Sequence, residues 1–68
     1  MFDGWEKILV TERSSKAEIS RMVLENNGLQ AVVMNKKDSS YLLGVFELYV
    51  PADQAAIARQ ILENEITD

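Results

Sequence analysis

The segment Asn35-Lys36-Lys37-Asp38-Ser39-Ser40-Tyr41 gathers two ammonium groups, two aliphatic hydroxyls, a phenol and a carboxylate in one short stretch. Lysines beside hydroxyls and free backbone N–H groups supply the donors that a phosphate or carboxylate needs. The polar connection from Lys36 to Leu43 is also longer than the roughly 2–5 residues of most hairpin loops, which leaves room for contact with a partner or a small anionic ligand. The same residues more often serve in a solvated hairpin tip, where Asp38 and Ser39 close turns with their own side chains. Both readings stand at this level.

Two aromatic residues form the second candidate. Trp5 and Tyr49 carry large rings with a polar handle, the kind of side chain that anchors interfaces or stacks on a ring. Trp5 can instead lock the amino-terminal segment onto the sheet. Glu47, in the middle of an apolar stretch, has the chemistry of an acid/base catalyst, but no second catalytic group is spaced to work with it, so a solvated or cross-strand-paired carboxylate is expected. Glu18, Arg21 and Glu25 have ion-pair spacing along one helix face, and Met22 and Met34 read as core filler.

Composition removes most other chemistries. The chain of 68 residues has no Cys and no His, which excludes thiolate and Ser-His nucleophiles and the usual zinc, haem and iron–sulfur ligand sets. Its glycines, Gly4, Gly28 and Gly44, stand alone, so no phosphate-binding glycine loop is present. We therefore expect no enzyme, no cofactor and no metal site. A net charge of −4 repels phosphate backbones and anionic lipid, so neither nucleic acid nor membrane is an expected partner. The apolar runs, such as Ala31 to Met34, are far below the roughly 20 residues that span a bilayer, and a cytoplasmic location is expected.

These residues need a scaffold, and the chain has the length for one small domain, residues 1–68. Trp5 to Thr11 is aromatic and β-branched and reads as a strand. Ser15 and Glu18 have capping-box spacing, which predicts a helix from Lys16 to about Asn27, closed by Gly28 in the left-handed conformation. Leu29 to Asn35 and Gly44 to Val50 read as two further strands, the last with Phe46, Leu48 and Val50 on its core face and Val45, Glu47 and Tyr49 on the other. Pro51 is placed to start a second helix, with Ile57, Ala58, Ile61 and Leu62 turned inward, running to about Asn64. The β-α-β-β-α order predicts an α+β, ferredoxin-like split arrangement with a three-stranded sheet in the order 2-3-1 and both helices on one face. Trp5, Lys7, Glu47 and Tyr49 then share the open face. The first strand keeps one unpaired edge, and an apolar edge or face left open is an association site, so a homo-oligomer is expected.

The runs Ala17 to Leu29, Ala31 to Tyr41 and Glu47 to Pro51 together resemble a family of small bacterial proteins described as "putative prokaryotic signal-transducing protein". The most specific part is Asn35-Lys36-Lys37-Asp38-Ser39-Ser40-Tyr41, which is similar to an Asn-Lys-x-Asp-Ser-Ser-Tyr stretch in that family. The resemblance implies a ferredoxin-like fold loosely similar to the PII nitrogen-regulatory proteins, which hold effector nucleotides between subunits and touch partners through a long loop after their second strand. The polar loop here stands at the analogous place, is shorter, and has no trailing strand behind the second helix. The leading expectation is thus a non-enzymatic regulatory or binding module whose Lys36–Tyr41 loop meets a partner or small anion. The other is a structural interaction domain that self-associates through its sheet edge or face.

Overall fold

The computed structural model describes residues 3–36 and 44–65. Of the loop singled out above, Lys37, Asp38, Ser39, Ser40 and Tyr41 lie outside the described residues. The elements run β1 (Trp5–Thr11), α1 (Ser14–Asn26), β2 (Val32–Lys36), β3 (Val45–Pro51), a 3-10 turn (Ala52–Gln54) and α2 (Ala55–Glu65). The sheet is antiparallel throughout, in the order β1-β3-β2, so β3 is central and β1 and β2 are the edges.

Strand β3 fixes the two sides of the sheet. Leu48 and Val50 are fully buried and join Leu24 of α1 with Ala55 and Ala58 of α2 in one apolar cluster, so both helices lie on that side. Strict alternation along β1 would put Leu9 and Thr11 on the face of Trp5 and Lys7. The structure breaks the alternation with a β-bulge: Lys7 pairs with Tyr49 and Leu9 with Leu48, leaving Ile8 as the extra residue. Ile8 and Leu9 therefore both pack against the core, and Val10 turns to the open face, where it is 53% exposed.

Helix α1 begins at Ser14, two residues before the expected start, and no side chain caps it. Its first turn follows Arg13, whose backbone N–H donates to Thr11 Oγ1 at 3.1 Å and whose carbonyl accepts from Ala17 N–H at 3.2 Å. The Ser15–Glu18 capping box does not form. Glu18 Oε1 is instead held by the Arg21 guanidinium at 2.8 and 3.1 Å, an i,i+3 fork that takes the carboxylate away from the helix start. At the other end the expectation holds. Gly28 has φ +85°, its N–H donates to the Glu25 carbonyl and the Leu29 N–H to the Leu24 carbonyl, each at 3.0 Å, and Leu29 packs on the cluster that contains Leu24.

Other inward assignments need correction. Pro51 ends β3 opposite Trp5, and a 3-10 turn intervenes before α2, because the Ala52 N–H is taken by the Gly4 carbonyl at 2.7 Å. Phe46 is half-buried between Thr11 and Asn35 at the end of the sheet, outside the buried cluster. Ile57 is 52% exposed and Met22 53%, while the buried positions of α2 are Ala55 and Ala58 and those of α1 are Ala17, Ser20 and Leu24. Alanines let the helices approach the sheet closely, which pushes the larger residues to the margin, where Ile61 and Leu62 pack against the cluster.

Emptying the centre should cost more than trimming its margin. Leu48→Ala should lose about 2–5 kcal/mol in urea unfolding, the range for a fully enclosed leucine, and Phe46→Ala distinctly less. Gly28→Ala should lose about 1–2 kcal/mol through the left-handed backbone alone, since nothing crowds an added Cβ there, and Ser15→Ala should stay within about 0.5 kcal/mol.

Candidate functional site

The side of the sheet away from the helices carries the residues with the most chemistry. The register sets them out in rows across β1, β3 and β2: Trp5 beside Pro51; Lys7, Tyr49 and Val32; Val10, Glu47 and Met34; then Val45 and Lys36. Seven of these ten positions are apolar or aromatic, and both described helices lie on the opposite side. Trp5 and Tyr49 are diagonal neighbours across β1 and β3, within reach of each other for side chains of their size.

Glu47 stands at the centre of this face. Its side chain is only 12% exposed, and Lys7 Nζ donates to Oε2 at 3.3 Å while the Tyr49 hydroxyl donates to Oε1 at 2.8 Å. Burial by its neighbours pushes the Glu47 carboxyl up. The hydrogen bonds from Tyr49 and Lys7, with the charges of Lys7 and Lys36, outweigh that and hold it below its ordinary value. The Tyr49 phenol is raised in turn, first because its proton is committed to Glu47, then through burial and the charge of Glu47. Chemically the trio is a neutralised carboxylate, not a poised base: each of its oxygens already accepts a hydrogen bond and its proton affinity is lowered.

Of the residues proposed from sequence, Trp5, Tyr49 and Lys36 come together on this face. Asn35 is the neighbour of Lys36 on β2, but it pairs beside Phe46 and so points to the helix side. Sequence reading placed Met34 in the core and left Val10 and Val32 unassigned. Met34 and Val32 follow from their pairing with Glu47 and Tyr49, which no local pattern shows, and Val10 follows from the bulge.

A second concavity, about 290 Å³, lies between the helices above β1, with Ile8, Leu9 and Leu62 as apolar lining and Lys16, Ser20, Arg59 and Glu63 around it. Arg59 is tied to Glu6 Oε2 at 2.7 Å, and the residues around this cleft include both signs of charge. Among the described residues no group of three His, Cys, Asp or Glu is placed to hold a metal ion, and no helix is long and apolar enough to cross a membrane.

Residues 5–66 match the family described as "putative prokaryotic signal transducing protein", which takes in every described element, from β1 to the end of α2. The chain belongs to that family. No curated protein and no solved structure matches the chain.

The trio makes stability depend on acid in a defined direction. Because Glu47 is held below its ordinary value in the folded chain, its contribution is present above the unfolded carboxyl pKa of about 4.3 and is lost as pH falls through the lower folded value. Tyr49→Phe should move the Glu47 titration midpoint upward and narrow that acid-side loss. The check is carboxyl-carbon NMR of Glu47 between pH 2 and pH 7 in both proteins; an unmoved midpoint would show that the phenol does not hold the carboxylate.

Proposed function

We propose that this protein is a non-enzymatic signal-transducing module of the cytoplasm that works by binding. Its fold is read as ferredoxin-like and loosely PII-like, a three-stranded version with β1 at the edge. It acts as a homo-oligomer, and the loop from Lys36 to Tyr41 meets a protein partner or a small anionic ligand. The observation that supports the reading is the placement of Lys36, which ends β2 exposed, on the same face as Tyr49 and Trp5. Membership of a family described by signal transduction supports the signalling part of the reading. A second reading, a structural domain whose only task is self-association, is favoured by the uncovered face itself, with the loop inert.

Titration with inorganic phosphate and with adenine and guanine nucleotides, followed by amide NMR, separates the two. Shifts confined to residues 35–41 are expected, and they should be lost in Lys36→Ala/Lys37→Ala. No shift with any of these probes at up to 10 mM would remove the anion from the proposal, and an unchanged response in the double variant would remove the loop.

A further inference from the structure

We infer that the cleft between the helices above β1 is a binding site for the zwitterion of a small apolar α-amino acid. The cleft lies on the helix side of the sheet, away from Lys36, and is independent of the loop proposed above. Its floor is a product of the bulge: Ile8 and Leu9, consecutive in sequence, both turn to it, and Leu62 of α2 meets them there. At about 290 Å³ the cleft stands at the lower bound of small-molecule sites, about 300–1,000 Å³, which suits a single amino acid better than a nucleotide. Ser20 of α1 is 1% exposed and is the one buried polar residue among those described, yet its hydroxyl makes no hydrogen bond to any of them. No fully enclosed side-chain oxygen or nitrogen among the described residues lacks a partner, so Ser20 Oγ opens onto the cleft that it lines. A hydroxyl so placed is costly without a polar partner, and water serves it poorly: an ordered water needs about 2–4 polar contacts, and the floor beside Ser20 is hydrocarbon.

The charges at the rim specify the rest of the ligand through a pair that does not form. Arg59 and Glu63 are one helical turn apart on α2, a spacing at which opposite charges ordinarily meet. Arg59 instead reaches to Glu6 of β1, with Nη2 2.7 Å from Oε2, and Glu63 makes no ion pair or hydrogen bond with a described residue. Glu6 thus fixes the guanidinium beside the cleft through one nitrogen and leaves its other N–H groups to a carboxylate, while the Glu63 carboxylate is left to an ammonium. An α-amino acid answers both: its carboxylate sits on Arg59 with the Ser20 hydroxyl as a further donor, its ammonium on Glu63, and its side chain on Ile8, Leu9 and Leu62. Counting Glu6, the groups around the cleft are two cations, Lys16 and Arg59, and two carboxylates. A ligand with one charge of either sign therefore meets a like charge that it has nothing to offset.

Amide NMR of the full chain, titrated with L-leucine to 50 mM, tests this beside two analogues of the same body: 4-methylpentanoate, which lacks the ammonium, and 3-methylbutylamine, which lacks the carboxylate. Saturable shifts are expected at residues 8, 9, 20, 59, 62 and 63. The dissociation constant should be millimolar, since a ligand this small in a cleft open to water gains little from contact, and both analogues should bind at least fivefold more weakly. Glu63→Gln should weaken leucine at least fivefold and leave 4-methylpentanoate as tight or tighter. Ser20→Ala should weaken leucine at least threefold while the melting temperature holds or rises. Glu63 is exposed and alanine at position 20 is smaller and favours the helix, so both variants fold. No saturable shift at 50 mM, or shifts at residues 35–41 alone, would overturn the site and leave the loop reading to its own titration. Analogues that bind as tightly as leucine, or wild-type affinity for leucine in either variant, would overturn the zwitterion and the groups assigned to it.

Discussion

One residue too many in β1 lets an edge strand give two successive residues to the packed side that β3 defines. Without the bulge at Ile8, a single alternation could not give the core both Ile8 and Leu9 while keeping Trp5 and Lys7 opposite Pro51 and Tyr49. With it, Trp5, Lys7 and Val10 serve the outer face while Ile8 and Leu9 both serve the helices. The lining of the cleft above β1 by both Ile8 and Leu9 and the exposure of Val10 follow from that single offset.

The same register explains how a carboxylate is kept nearly covered on a face without helices. Glu47 is flanked by Val10 and Met34 on neighbouring strands, which exclude water, and by Lys7 and Tyr49 one row along, which supply donors. A carboxylate with one of these sets and not the other would be either dissolved in water or unpaired. Here the polar trio fixes the side chains of β1 and β3 relative to each other and leaves the surrounding apolar surface smooth.

The sequence analysis located all three strands, both helices and the sheet order, because alternation in β3 and the Gly28 stop signal are local patterns that the structure does not override. It also brought Trp5, Lys7, Glu47 and Tyr49 to one face. It misread positions whose fate depends on distant partners. Met34 was assigned to the core, but its pairing with Glu47 turns it outward; at Glu18, for which two local roles were legible, the ion pair with Arg21 forms and the capping box does not. Alternation put Phe46 on the right side of the sheet but did not show that it lies beyond the buried cluster, and helical spacing turned Ile57 inward where the centre is occupied by Ala55 and Ala58.

Those alanines bear on how the protein answers to temperature. Among the described residues, four of the seven buried apolar ones are Ala17, Ala31, Ala55 and Ala58, and the fold is about 15 Å through its thinnest dimension. Little apolar surface is hidden for each residue ordered, and the heat capacity change of unfolding follows apolar exposure. A chain of this length would average about 0.8–1.0 kcal/mol/K, at about 12–15 cal/mol/K per residue, and an alanine-lined centre falls at or below the low end. The stability curve is then broad and shallow, changing little between cold and physiological temperature.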